Sequence, residues 1–500
     1  MTGEIESILC WAAGSPTQPP DEAVVDGDAL LELLDQHALS GRLLRRVVGM
    51  TVAPRWFTAE LREGVLDQHR ATRSRLQEHA VAAAEITRMA GDLPPVLIKG
   101  ISTYLATAEP HTMRCGDIDL VCADGDRMIE LLTGLGYRRT RGAFLHEIGE
   151  FTRGETEVDV HSHFPVHSYA GLRSDDVDPS RAQGVWHQIP HEMSQRPIKY
   201  SDLVRGRWQH RVNALEPISV PDPCLLAVIL CAHTFMNFTN MWSISHRAKP
   251  YVRLGELADL QDLAIHPAFD TGRFQQLVER FDAADAVGWA AWASALLIGS
   301  HPRLSHETLQ PELGIFPRCL WWSFWASVPV RPASLVRVDW LDMAQLVSAL
   351  GENVVPLGGG TTETIRIDSS RLPRQIRQEG TGGMADHTVE IQLLDSRLTV
   401  TIGLPSKRGA VVERVRVDLG HAATEWSYDT EADRQMIVGG HTDHVLRSDG
   451  SGRQLQLRYD LACRTRSNGR ISLLVGIAAE DATKSFVNSV LLPLSCTTGI

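Results

Sequence analysis

The chain has 500 residues, 43% of them hydrophobic and 22% charged, with a formal net charge of -12. Those values are those of a soluble globular protein with ample core and roughly two to four domains. The acidic balance argues against a protein that coats nucleic acid, because phosphate contacts need a basic surface, but it leaves room for a local basic pocket that takes a nucleotide.

Residues 1 to about 25 lack a pattern and include Pro16, Pro19 and Pro20. No basic segment followed by an apolar run opens the chain, so no secretion signal is expected. From Asp28, the positions Leu30, Leu31, Leu33, Leu34, Leu43 and Leu44 predict two short helices. A long helix follows from about Thr58 to Met89. Leu61, Val65, Leu66, Leu76, Ala80, Val81 and Ala84 are its apolar stripe, and Gly91 with Pro94 ends it. His69 and His79 on this helix read as solvated residues.

Val96-Leu97-Ile98 reads as a buried strand that Gly100 terminates, with Lys99 at the turn. Ser102 is a suitable N-cap for a short helix whose free N–H groups could face phosphate. A loop then leads to Asp117-Ile118-Asp119-Leu120, whose side chains alternate across a strand. Ile118 and Leu120 can face a core while Asp117 and Asp119 point together into a cleft. Two carboxylates on one strand face repel each other unless a cation lies between them, and Mg²⁺ (or Mn²⁺) suits such oxygen ligands. A solvated edge strand is the plainer alternative.

Asp124-Gly125-Asp126 opens a helix rather than a calcium loop, because Met128 and Ile129 stand where that loop needs an oxygen ligand and a glycine. Phe144 to Arg153 reads as a strand and turn. In Thr156-Glu157-Val158-Asp159-Val160-His161, the two valines form one face and Glu157, Asp159 and His161 the other. If this strand lies beside the first, Asp159 completes a three-carboxylate cluster. Such a cluster can hold two metal ions roughly 3.5–4 Å apart, the geometry of in-line phosphoryl or nucleotidyl transfer. His161 and His163 also permit a zinc-hydrolase alternative, since His-x-His on a strand puts both rings on one face. His163 and His167, around Pro165, otherwise read as surface loop residues.

Lys99-Gly100, then Arg114-x-Gly116-Asp117-x-Asp119-Leu120, then Gly134-x-Gly136-Tyr137, then Glu157-Val158-Asp159-Val160-His161 occur in that order. Over roughly Asp28 to Ala295, this arrangement resembles the uncharacterised bacterial nucleotidyltransferases of the DNA polymerase β superfamily. The wider superfamily has Gly-Ser or Gly-Gly before the aspartates, where this chain reads Gly100-Ile101-Ser102. The resemblance implies that Asp117, Asp119 and Asp159 hold metal and catalyse. It implies that Lys99, Gly100, Ser102, Arg114 and His161 contact the nucleotide, His161 either orienting Asp159 or touching substrate.

Residues 171 to 210 are polar and read as an insertion. Pro221 to Ser300 reads as a helical bundle, with Leu225, Leu226, Val228, Ile229 and His233 on its first helix and a loop from Asn240 to Lys249. The resemblance implies that this bundle closes the nucleotide cleft. His246, Arg247, Lys249 and Arg253 could then supply positive charge to a triphosphate, or they are simply solvated. The apolar-aromatic run from Cys319 to Val330 is broken by Ser323, Ser327 and Pro329, and is shorter than the about 20 residues of a membrane span. Pro329 to Pro332 reads as a linker.

Beyond it, Thr388 to Leu393, Leu398 to Ile402, Val411 to Val417, Gln454 to Tyr459 and Ile471 to Ile477 alternate or run apolar between Gly/Asp/Ser turns such as Ser448 to Gly452. They predict a β-sandwich without a recognisable catalytic set. Gly358-Gly359-Gly360 lacks the Lys-Ser/Thr of a P-loop and reads as a flexible loop. The eight cysteines form no Cys-x-x-Cys pair, so structural zinc is not expected and a reducing, cytoplasmic setting is.

The expected fold is therefore α+β. It comprises an N-terminal helical region (1–92), a polymerase β-like nucleotidyltransferase core (93–215), a flanking helical bundle (216–328) and a C-terminal β-sandwich domain (335–500). The expected activity is Mg²⁺-dependent transfer of a nucleoside monophosphate from an NTP, with ATP the leading candidate, to an acceptor hydroxyl. The acceptor would be a small molecule, a peptide or a protein that the sandwich might recognise; no membrane partner is expected. Two alternatives stand beside it. A metal-dependent glycosyltransferase also uses Asp-x-Asp but needs a nucleotide-binding βα region upstream, where residues 1 to 90 read as helical. A non-catalytic nucleotide-binding scaffold would not need the third carboxylate.

Overall fold

A computed structural model describes residues 4–107, 116–142, 146–168, 194–210, 217–239, 252–299 and 301–304. Beyond these it describes 318–321, 326–329, 353–357, 362–367, 387–394, 397–405, 412–419, 423–429, 434–439, 443–449, 452–460, 470–480 and 486–498. Arg114, Cys115, Phe144, His246, Arg247, Lys249 and Gly358 to Gly360 lie outside the described residues, as do the side chain of His167 and the whole segment from 171 to 193.

Four helices open the chain: α1 (Glu4–Ala13), α2 (Gly27–Gln36), α3 (Ser40–Val48) and α4 (Ala59–Ala90). The first corrects the sequence reading. Ile8, Leu9, Trp11, Ala12 and Ala13 are buried, but ten residues are too few for the period to stand out. Side-chain oxygens of Asp26 and Thr58 cap α2 and α4, and Gly91 ends α4 with φ 64°. The 32 residues of α4 span about 48 Å, enough to serve two cores. Leu61 and Val65 join the helical core, and residues between Leu76 and Ile86 the core under the sheet. His79 is 1% exposed within that second stretch, so it is not the solvated residue expected. Leu76, His79, Ala80, Ala83 and Ile86 recur at helical spacing on one face.

Next come β1 (Val96–Leu97), α5 (Ile101–Thr107), β2 (Ile118–Val121), α6 (Gly125–Gly134), β3 (Arg138–Arg141), β4 (Glu147–Arg153) and β5 (Thr156–His161). β6 (His163–Ser168) pairs antiparallel with β7 (Ser194–Lys199), Pro165 opposite Pro197. The segment around His163 is thus a strand rather than the expected loop. α7 (Tyr200–Arg205), β8 (Arg207–His210) and β9 (Ile218–Pro221) follow. Part of the stretch read as an insertion therefore supplies sheet.

The central sheet runs β3-β4-β5-β2-β1-β9-β8. β2 and β5 are parallel, as are β1 and β9, and the other neighbours are antiparallel. Alternation along the strands separates its faces. Leu97, Ile118, Leu120, Val158 and Val160 pack with α4 and with Met128 and Leu132 of α6, while Val96, Ile98 and Val121 join the helical core on the other side. Positions 119 and 159 therefore open toward the helices that follow: α8 (Pro223–Thr239), α9 (Leu254–Ile265), α10 (Thr271–Arg280) and α11 (Ala284–Leu297). The largest fully buried side chains here include Trp289, Phe235 and Phe274. Arg42 of α3 ties the first helices to α9, donating to Asp259 at 2.7 Å and Asp262 at 2.5 Å.

After the hairpin β10 (Arg318–Trp321) and β11 (Ala326–Pro329), which takes in Pro329, the described chain is all strand. The strands are β12 (Asn353–Leu357), β13 (Thr362–Ile367), β14 (His387–Leu394), β15 (Arg397–Pro405), β16 (Val412–Asp418) and β17 (Ala423–Asp429). β18 (Arg434–Gly439), β19 (Asp443–Asp449), β20 (Gly452–Asp460), β21 (Arg470–Glu480) and β22 (Phe486–Thr498) complete the set. They form a six-stranded sheet, β12-β22-β21-β16-β17-β18, and a five-stranded sheet, β13-β14-β15-β20-β19. Alternate residues Leu398, Val400 and Ile402, and Leu455, Leu457 and Tyr459, are buried, as two-residue periodicity requires. Among the described residues no helix is long and apolar enough to cross a membrane.

Candidate active site

The site is set by one register. β2 and β5 run parallel with Asp119 opposite Asp159 and Val121 opposite His161. Two carboxylates that are 40 positions apart in the chain thereby become neighbours on one sheet face. Asp117 precedes β2, so it sits at the strand's entrance rather than within it. Asp119 is 2% exposed, a burial a carboxylate tolerates only when paired. Its Oδ1 accepts from Lys99 Nζ at 2.7 Å and from His161 Nε2 at 2.9 Å. A carboxylate can only accept, so Nε2 carries the proton. The imidazole stacks on His146, with ring centroids 5.3 Å apart. The expected alternative, His161 orienting Asp159, is replaced by this bond to Asp119.

The sequence explains Lys99's reach. Ile98 N–H donates to Asp119 O at 3.2 Å, continuing the pairing of β1 with β2 one residue past the strand. Gly100 then turns the chain with φ 55°, a conformation that costs a residue with Cβ. Ser102 falls inside α5 rather than at its cap, because the helix begins at Ile101. The Ser102 side chain is fully buried and its Oγ has no partner among the described residues.

The charges do not balance. Burial and then the Coulombic pull of Asp119 and Asp117 act in opposite senses on Lys99, and the carboxylates win, holding the ammonium above its usual range. Asp119 is held below its usual range: burial opposes ionisation, but Lys99 and His161 outweigh it. Asp117 is raised, first by Asp119 and then by burial, against the pull of Lys99, His233 and Arg253. Asp159 is pushed up to about 8 by burial and by Asp119 and Asp117. Its Oδ1 is buried without a partner among the described residues. Lys99 thus acts on all three carboxylates.

Asp119, Asp159 and His161 each offer a ligand atom within 4.8 Å of the others, and Glu150, Glu157 and Asp159 form a second such group. Asp117 belongs to neither. No group brings His163 together with His161, which removes the geometric basis of the zinc-hydrolase alternative among the described residues. The donors are mainly hard carboxylate oxygens, with one imidazole and no thiolate. With an orphaned buried oxygen among them, they fit a divalent cation that prefers oxygen.

The helices bring a second layer that sequence reasoning reached only through Arg253. Glu256 on α9 is 4% exposed. Arg253 Nη1 lies 3.2 Å from its Oε1, and His233 Nδ1 of α8 lies 3.5 Å from its Oε2. Burial would raise this carboxyl, but His233 and Arg253 outweigh it and hold it at about 2, with Lys99 contributing. His233 Nε2 lies 3.3 Å from the Asn237 side-chain amide. The overlooked signal was an acid inside the apolar run Leu254-Gly255-Glu256-Leu257-Ala258. A charged residue in a stretch buried at every position needs partners.

Several solved structures are similar to part of the chain, among them two carbohydrate binding modules. A carbohydrate binding module of family 9 from Caldicellulosiruptor kristjanssonii in complex with cellotriose matches at 9% identity and TM-score 0.20, covering 29% of this chain and 93% of that one. A second structure, from the same organism and in complex with glucose, matches at 8% identity and TM-score 0.20, covering 29% and 95%. Scores at that level carry no argument about this chain. No curated protein matches the sequence. A family described as uncharacterised nucleotidyltransferases matches residues 24–299. That span holds α2 to α4, the seven-stranded sheet, the acidic site and the helices over it. With more than half of the chain inside the match, the protein belongs to this nucleotidyltransferase family and is an enzyme of that class.

Proposed function

We propose that the protein transfers a nucleoside monophosphate from an NTP to an acceptor hydroxyl, with Mg²⁺ or Mn²⁺ held by Asp117, Asp119 and Asp159. The observation that carries this reading is the Asp119–Asp159 pairing across parallel β2 and β5, with Lys99 on Asp119. When bound, the metal would supply positive charge for the phosphates and the pentavalent transition state. Lys99 and Arg253 bring cations to the same face and are the side chains placed to hold the triphosphate; Arg114 shares this role in our reading. His161 fixes Asp119 through Oδ1 and keeps its other lone pairs available.

The acceptor oxygen attacks the α-phosphorus, the bond to the α–β bridging oxygen breaks, and pyrophosphate leaves with that electron pair. The acceptor's proton passes to Asp159, whose Oδ1 is buried without a partner among the described residues. The two C-terminal sheets pack as a sandwich in this reading. They form a domain from about residue 335 that recognises the acceptor or a protein partner. ATP is the first donor to test, and a cytoplasmic setting follows from the substrate.

The test is incubation of the protein with Mg²⁺, cell extract and each α-³²P-labelled NTP in turn, with wild type beside Asp119→Asn. A labelled product that requires Asp119, formed with release of pyrophosphate, supports the reading. Label that never leaves the NTP, with no pyrophosphate released under any donor, overturns it.

A further inference from the structure

We propose that His37, far from the acidic site in sequence, is a positioning residue that latches α9 so that Arg253 and Glu256 stand over the nucleotide. The proposal rests on the nucleotidyl-transfer reading above and concerns how that site is assembled.

The first N–H groups of a helix have no partner within it and are usually met by the N-cap side chain. The N-cap of α9 is Arg253, whose guanidinium has no acceptor to give and makes no capping bond. His37 does this work from the end of α2. Its Nδ1 accepts from Leu254 N–H at 3.2 Å, and its carbonyl oxygen accepts from Gly255 N–H at 3.0 Å. His37 is fully buried. The contact is too close for a side chain: a Cβ at Gly255 would lie 2.5 Å from His37 O and 3.3 Å from the Ala38 Cβ. Ala38 itself has φ 58°, a left-handed turn that alanine rarely adopts and that surrounding structure must hold. Arg42 adds its bonds to Asp259 and Asp262 further along the same helix. The capped end of α9 carries Arg253 and Glu256, and α9 packs on α5, the helix that begins just after Lys99-Gly100. The N-terminal helices thus set where Arg253, the N-cap of α9, stands relative to the sheet. This also gives a physical reason for a family match that begins at residue 24.

The experiment uses the full chain and two ligands, Mn²⁺ followed by electron paramagnetic resonance and ATP·Mg²⁺ followed by calorimetry, with the other NTPs if ATP does not bind. The variants are His37→Leu, which removes the acceptor, His37→Asn, whose side-chain oxygen can replace Nδ1, and Gly255→Ala, which wedges the latch from the other side. His37→Leu and Gly255→Ala are expected to weaken nucleotide binding about tenfold, the scale of one lost cap. Mn²⁺ affinity should stay at the wild-type value, because its ligands lie on β2 and β5, and His37→Asn should recover most of the nucleotide binding. Unchanged nucleotide binding in folded His37→Leu or Gly255→Ala overturns the latch, as does an equal fall in Mn²⁺ and nucleotide affinity, which marks general destabilisation. If His37→Leu does not fold, Gly255→Ala alone decides. Wild-type protein that binds Mn²⁺ but no NTP overturns the nucleotidyl reading, and the latch's purpose with it.

Discussion

At Asp119 Oδ1 two donors, Lys99 Nζ and His161 Nε2, converge on one buried oxygen. Removing that carboxylate has two separable consequences. On the proposed reading, Asp117→Asn, Asp119→Asn and Asp159→Asn should each abolish nucleotide turnover, because the proposed two-metal set would lose one of its carboxylates. Asp119→Asn should in addition cost about 1–3 kcal/mol in denaturant unfolding. That is below the full penalty of breaking an isolated buried pair, because Asp117 and Asp159 still act on Lys99. Asp159→Asn protein with near wild-type turnover would remove Asp159 from the chemistry. His161 acts on a ligand, so His161→Asn should weaken Mn²⁺ binding by about 10–100-fold, the range for partners that orient metal ligands. Metal analysis of protein purified without added metal tests the donor chemistry directly. Stoichiometric zinc, lost on replacing His161 and His163, would revive the hydrolase alternative.

At the scale of an element, α9 shows why a helix beside an acidic sheet can afford a buried acid. Glu256 is ionised there only because His233 and Arg253 outweigh its burial. Its folded pKa of about 2 lies below the ordinary 4.5, so as pH falls the unfolded state binds the proton first. The stabilisation from this group is present above about pH 4.5 and is lost as pH drops toward 2. Glu256→Gln removes that contribution. The stability difference between wild type and Glu256→Gln should shrink as pH falls below about 4.5. Urea midpoints measured across that range would test it, and a pH-independent difference would show that Glu256 is not held as an ion.

At the scale of the whole molecule, the family match ends at residue 299, while the two large sheets, antiparallel except where β12 runs parallel to β22, begin beyond residue 350. A chain ending near Arg331 should therefore remain folded and bind NTP. It should release pyrophosphate if the acceptor does not depend on the C-terminal sheets. Calorimetry on this truncation is the check. NTP binding lost in a folded truncation would make the β region part of the nucleotide cleft, and would move the acceptor search toward small substrates held between the two parts.

The local pattern alone determined much of this protein. Alternation at Ile118 to Leu120 and at Thr156 to His161 placed the apolar residues inward and the acids together, because a strand's period is geometric and needs no partner to be read. The capping signal at Asp124, the helix start near Thr58, the stop at Gly91 and the change to two-residue periodicity in the last third are local for the same reason, and the structure has them. Where a residue's role depended on another element, local pattern was not enough. His79 was read by its polarity, although its helix face is buried against the sheet. The short strand Ile218–Pro221 gains its meaning only by lying parallel to β1. The partner of His161, the ion group around Glu256 and the capping of α9 by His37 are contacts between distant stretches. Only tertiary structure decided them, because register, burial and the pairing of charges are properties of which elements meet, and a single stretch of sequence does not contain its neighbour.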